Sequence, residues 1–203
     1  MGGDREVKTW VVVLVKDFDA AKQRLSPALG VNSRRALARN NARQAVAAAK
    51  AGDRVLVVTG GEEAAELAAS WGAQVLLESR EEGQNVAARR GIDRATASGA
   101  DAVLLLSSDL PLVTEAAVRE MLQAAGRLQA PVAVAAPAIG RGGTNALYLR
   151  PPSAIGLHFG EESLAQFRAD AEQNGVRFVV FRSDALALDL DEPADLARVS
   201  RAV

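Results

Sequence analysis

Three aspartates stand where a chain could hold a divalent cation. Asp109 follows the apolar run "DAVLLLS" in "SSDLP", and Pro111 closes that run. A carboxylate delivered at the end of a buried strand suits a Mg²⁺ ion bridging phosphates; the competing reading is a turn aspartate ahead of the next helix. Asp189 and Asp191, in "LALDLDEPADL", are two residues apart. On a strand they would share a face and could join Asp109 around metal, with at least one of them as a ligand; Asp191 could instead cap the helix that "DEP" opens. Countercharge is available in "KDFDAAKQRLSPALG", a stretch of about 15 residues carrying Lys16, Lys22 and Arg24. Loops of that length are uncommon and often functional. Lysine and arginine there suit a polyphosphate, although a solvated basic loop has the same composition.

Uncharged donors form a second set. Gln84 and Asn85, in "EEGQNVAARRG", stand at the start of a helical stretch. Their amides could read the edge of a base or cap the helix. In "GRGGTNALYL" the glycines, Gly143 among them, let backbone N–H groups approach a ligand closely, and Thr144 and Asn145 add side-chain polar groups. "HFGEES" places Gly160 and Ser163 near a helix N-terminus, a natural anion site, where Glu161 and Glu162 would oppose an anion unless they point away or help hold a metal. The two clusters are about 16 residues apart and together could clamp one phosphate. His158, the lone histidine beside them, reads as a structural residue ahead of a ligand contact.

The composition removes other chemistries. No cysteine is present, so disulfides, thiolate metal sites and cysteine nucleophiles are excluded, and one histidine rules out a two-imidazole mechanism. Neither GxGxxG nor GxxxxGK[ST] occurs. The net charge of −1, with both signs interspersed, disfavours a nucleic-acid or membrane surface as partner. No apolar run approaches the ~20 residues of a membrane span, and "MGGDREVKTW" lacks the apolar centre of a signal peptide. A cytoplasmic protein is expected.

These residues need a scaffold, and the apolar pattern supplies one. "TWVVVLV" (9–15), "RVLVVT" (54–59), "QVLLE" (74–78), "DAVLLLS" (101–107) and "PVAVAAP" (131–137) read as strands nearly continuous in apolar residues, the pattern of strands covered on both faces. Helices alternate with them, the first capped by Ser33 and the fourth by Thr114. This order predicts an open, doubly wound, Rossmann-like α/β sheet, mostly parallel. After residue 137 the pattern changes: "TNALYLR" is a strand, "EESLAQFRADAEQNG" a helix, "VRFVVFRSDALALDL" one long or two short strands, and "EPADLARVSRAV" a helix with Pro193 in its first turn. A single domain over 1–203 is expected, with a nucleotide half (1–137) and a mixed extension of the same sheet (138–203). Exposed apolar edges in that extension favour a homodimer. Ligands of such sheets bind at the carboxyl ends of the strands.

Taken in order, "VKDFDAAKQRL", "SSDLP", "GGTNAL", "FGEES" and "LDLDEPADL" resemble the guanylyltransferases that make the side-chain precursor of the deazaflavin coenzyme, those using 2-phospho-L-lactate and their phosphoenolpyruvate-using relatives. The resemblance spans nearly the whole chain. "GGTNAL" followed by "FG–x–x–S" is its specific part; the aspartate motifs are shared with molybdopterin and sugar-nucleotide transferases of the nucleotide-diphospho-sugar transferase type. The resemblance implies Mg²⁺ held by Asp109 with Asp189 or Asp191. It implies Lys22 and Asp109 at the reacting centre, Lys16, Lys22 and Arg24 on the phosphates of GTP, and Gln84 and Asn85 near guanine. Gly143, Thr144, Asn145, Gly160 and Ser163 would hold a small phosphorylated carboxylate, phosphoenolpyruvate or 2-phospho-L-lactate, with 3-phosphoglycerate as an alternative. The chain departs from the pattern at Gln84, at Glu162 where glycine is common, and at Phe167 where histidine is common. A nucleotidyltransferase with a sugar-phosphate or molybdopterin acceptor, or a non-catalytic nucleotide-binding domain, would share parts of the same pattern.

Overall fold

A computed structural model describes residues 7–140 and 142–202; residues 1–6, on which the signal-peptide reading partly rested, and Arg141 of the glycine-rich stretch lie outside the described residues. Seven strands form one sheet: β1 (Thr9–Leu14), β2 (Arg54–Thr59), β3 (Gln74–Leu77), β4 (Ala102–Ser107), β5 (Val132–Pro137), β6 (Thr144–Arg150) and β7 (Arg177–Val180). Their spatial order is β3-β2-β1-β4-β6-β5-β7. Only β6 runs antiparallel to its neighbours. The helices are α1 (Val31–Ala49), α2 (Glu62–Ser70), α3 (Gln84–Ala97), α4 (Glu115–Gly126), α5 (Ser163–Gln173), α6 (Asp184–Ala187) and α7 (Pro193–Ala202).

The near-continuous apolar strands follow from burial on both faces. Val11, Val13, Leu104 and Leu106 pack with α1, α2 and α4, while Val12, Val103 and Leu105 pack with α3 and α5. Successive side chains alternate between these faces because the strand period is two. Gly91 lets α3 lie close on the sheet: a methyl group added there would come within 2.5 Å of Val12. Phe167, fully buried, anchors α5 and meets the rings of His158 and Phe159 edge-on at 5.6 and 5.2 Å. Phe167→Ala should therefore lower stability by about 4 kcal/mol in chemical denaturation, through lost transfer energy and the cavity left behind.

Three local expectations need correction. Helix α1 is capped by Gly30 rather than Ser33, with the Arg34 N–H on the Gly30 carbonyl at 3.0 Å; the helix starts early enough to place Ser33 inside it. Thr114 does cap α4, accepting from the Ala117 N–H at 3.2 Å. The 16–30 loop holds a short 3-10 turn, Gln23–Leu25, pinned by the buried Leu25. Beyond β7 there is no second strand. "DALA" forms the single turn α6 and sends Leu186 into the core, so the apolar spacing of 185–190 served a helical turn followed by an irregular segment that Leu190 ties to Asp109 and Lys22.

No helix among the described residues is long and apolar enough to cross a membrane.

Candidate active site

The strand order reverses between β1 and β4, the point where an open sheet leaves a crevice at its carboxyl edge. A cleft of about 720 Å³ lies there, within the usual range for small-molecule sites. Lys16, Lys22 and Arg24 line it from the loop after β1, Asp109 from the end of β4, and Asp189 and Asp191 from the segment before α7.

Lys22 is buried, and its backbone is left-handed (φ 59°). Its Nζ lies 2.6 Å from Asp109 Oδ1 and donates to the Leu190 carbonyl at 2.5 Å. The Leu190 N–H in turn donates to the Asp109 carbonyl at 2.9 Å. One lysine thus ties the first loop, β4 and the terminal aspartates together. Leu188 and Leu190 are buried while Asp189 and Asp191 are partly exposed. The two aspartates therefore share a side, as expected, without belonging to a strand. Arg24 is mostly exposed and donates to Asp191 at 2.9 Å.

The glycine-rich stretch is the β5–β6 hairpin loop. Since β6 runs against its neighbours, its first residue falls at the carboxyl ends of β4 and β5. Thr144 therefore opens onto the cleft beside Gly143 and Asn145, opposite Gly160 and Ser163. The two clusters are brought together: buried Ser163 Oγ donates to Thr144 Oγ1 at 3.1 Å, and the Leu164 N–H donates to the Gly142 carbonyl at 3.0 Å. Glu162 precedes α5 with a left-handed backbone (φ 53°), and its carboxylate packs over Gly142, itself at φ 60°. Lys22 and Glu162 are the only non-glycine residues with positive φ among those described, and both line the cleft. Backbone strain of this kind, costing about 1–3 kcal/mol per residue, clusters at ligand sites.

Two expected ligand contacts have other work. Asn85 does not face the cleft; its Nδ2 donates to the Phe159 carbonyl at 3.0 Å and its Oδ1 accepts the Phe159 N–H at 2.8 Å. An amide matched to a peptide group in this way fixes the loop before α5 on the start of α3, which leaves Gln84 as the member of that pair that lines the cleft. Asn145 Nδ2 is occupied by the Leu186 and Ala187 carbonyls at 2.9 and 3.1 Å.

His158 proves structural. Its Nε2 lies 2.6 Å from Asp170 Oδ2, which also accepts the Gly156 N–H at 2.9 Å. The His158 hydrogen bond, then the Gly156 one, hold the Asp170 carboxyl below its usual pKa of 3.8 against the opposing effect of burial. A lowered folded value means that this stabilisation is present above pH 3.8 and is lost as pH falls through the folded value. Acid-unfolding curves of wild type and Asp170→Asn should accordingly differ at about pH 6 and converge as the pH falls through the lowered folded value.

Sequence reasoning missed the wall near β3. Glu78, with its side chain 4% exposed, and Glu81 line the cleft there. The available signal was an acid closing the apolar run "QVLLE", as Asp109 follows "DAVLLLS".

The donor set fits a hard cation. Asp109, Asp189 and Asp191 offer carboxylate oxygens to one cleft. Among the described residues no group of three or more acidic or histidine side chains is arranged as a metal cage. Mg²⁺, however, is commonly bound through one or two carboxylates and substrate phosphates rather than by an all-protein cage.

Residues 9–200 match the family model described as "Guanylyl transferase CofC like". The chain belongs to the CofC-like guanylyl transferase family. It is 40% identical to the phosphoenolpyruvate guanylyltransferase of Rubrobacter xylanophilus, over 95% of this chain and 94% of that one. It is 37% identical to the 2-phospho-L-lactate guanylyltransferase of Methanothermobacter thermautotrophicus, over 95% and 84%. Among solved structures, a Desulfovibrio desulfuricans protein assigned as a nucleotide-diphospho-sugar transferase superposes with a TM-score of 0.79 at 17% identity, covering 97% of this chain and 88% of that one. At that identity the likeness concerns the fold, and the CofC-like sheet is the mostly parallel, mixed one expected.

Proposed function

We propose that this CofC-like protein transfers the GMP unit of GTP to the phosphate of a small phosphorylated carboxylate, phosphoenolpyruvate or 2-phospho-L-lactate, releasing pyrophosphate in deazaflavin coenzyme assembly. The observation that carries this reading is one cleft lined by two different grips: the Lys22–Asp109 pair at the centre of the sheet and the Thr144–Ser163 hydroxyl pair beside it.

The chemistry suits what the chain has. A phosphate monoester is largely dianionic at neutral pH, its second pKa being about 6, so the nucleophile arrives ionised and no general base is required. The acceptor oxygen attacks the α-phosphorus in line, the bond to the β-phosphate oxygen breaks, and pyrophosphate carries that electron pair away. Two polyanions must be held together, which calls for positioning and fixed positive charge. Lys16, Lys22 and Arg24 supply charge on the nucleotide side. The Ser163 and Thr144 hydroxyls and the start of α5 orient the acceptor. Exposed Glu161 and Glu162 on the rim repel anions that lack this full set of donors. Asp109 with Asp189 or Asp191 would hold Mg²⁺, which when bound neutralises phosphate charge and polarises the α-phosphorus.

Pyrophosphate release measured over a panel of GTP, ATP and CTP against phosphoenolpyruvate, 2-phospho-L-lactate and 3-phosphoglycerate tests the reading. Turnover only with GTP and one of the first two acids supports it. Preference for 3-phosphoglycerate, turnover with ATP or CTP, or GTP binding without pyrophosphate release, would replace it.

A further inference from the structure

We infer that Glu78, held by Arg90, reads the guanine base. The inference rests on the guanylyl-transfer reading and adds the residue that selects the nucleotide. Along the carboxyl edge of the sheet, the phosphate grips lie at β1 and β4 and the acceptor grips at β6. The nucleoside is left with the other direction, toward β2 and β3. β3 is two strands from β1, roughly 10 Å, within reach of a nucleoside whose phosphates sit at Lys22. The cleft there has apolar walls, Leu14, Val58 and Ala87, suited to the faces of a planar base, and Glu78 lines the same part.

Glu78 is unusual for an acid in that its side chain is nearly buried, a position rare for a carboxylate that has no partner. Its partner is Arg90 on α3, with Nη1 2.5 Å from Oε1. Arg90 also bonds Glu82 and the Arg80 carbonyl, so one guanidinium fixes the whole 78–82 loop. The ion pair balances the charge of Glu78 and orients it, and Glu78 is among the residues that line the cleft. An ionised carboxylate only accepts hydrogen bonds, through two oxygens. Guanine is the one common base with two adjacent donors, N1–H and the 2-amino group, on its Watson–Crick edge. Adenine and cytosine place an acceptor in the matching position, which a carboxylate repels. Of the two neighbouring amides, Asn85 is engaged by Phe159 and Gln84 lines the cleft beside Glu78.

The test is Glu78→Gln, assayed with GTP and with xanthosine triphosphate, which carries a carbonyl where guanine has its 2-amino group. An amide can donate to that carbonyl where a carboxylate cannot. Wild type should prefer GTP by about 100-fold in kcat/KM. In the variant, kcat/KM for GTP should fall by about 100-fold and that for xanthosine triphosphate should rise by about 10-fold. A gain with the altered base cannot come from misfolding. A variant that keeps the wild-type preference, or loses both nucleotides equally, overturns the assignment to Glu78. If wild type binds GTP but releases no pyrophosphate with any acceptor, the transfer reading fails by itself, and the Kd ratio of the two nucleotides in both proteins still decides the role of Glu78.

Discussion

Asp109→Asn is expected to lower kcat by about 10²–10³-fold while leaving the fold in place. Asp109 meets Lys22 at 2.6 Å and opens onto the cleft with about a third of its side chain exposed. Asparagine keeps an oxygen for the buried ammonium, and the Leu190 bonds to Lys22 and to the Asp109 backbone persist. The stability loss should stay below the about 3–5 kcal/mol of a broken buried pair, since Lys22 loses its countercharge but keeps its oxygen acceptors. On the proposed reading catalysis loses more, since an amide is a poor ligand for Mg²⁺ and supplies no negative charge to hold Lys22 in place. Steady-state kinetics at saturating Mg²⁺, with thermal melts of both proteins, separate the two effects. Unchanged turnover would remove Asp109 from the reaction.

Thr144→Val should raise KM for the acceptor by about 10–100-fold and leave KM for GTP within about 2-fold, the reverse of a nucleotide-site defect. Valine matches threonine in shape, so β6 keeps its place. The change removes the oxygen that accepts from Ser163 and strands a fully buried hydroxyl, a cost of about 1–3 kcal/mol. Initial rates with each substrate varied in turn give both constants. A variant that weakens GTP and acceptor alike would assign Thr144 to the scaffold.

Most of the site was legible because chemistry and strand ends coincide in the sequence. Asp109 follows an apolar run, and Lys22 and Thr144 lie in stretches too polar and too long for simple turns. Tertiary partners were not legible. The two-point bond from Asn85 to Phe159 joins residues 74 apart, and a polar amide at a helix start looks the same whether it meets a base or a distant peptide group. Asp189 and Asp191 were placed on the correct side for a reason that did not hold, since burial of Leu188 and Leu190 imposes the alternation without a strand. Glu78 escaped notice because its meaning depends on Arg90, one helix away.

The reversed strand β6 limits how the protein can diversify. The expected nucleotide and acceptor halves would divide near residue 137, yet β6 lies between β4 and β5 and is hydrogen-bonded to both. A cut at that seam would open two central strands, leaving bare edges of the kind that template aggregation. Segments at this boundary therefore cannot be traded between relatives as cassettes. On the proposed reading a change of acceptor would come through point replacements at residues 142–143 and in the 158–163 turn, while the strands that carry them stay as they are.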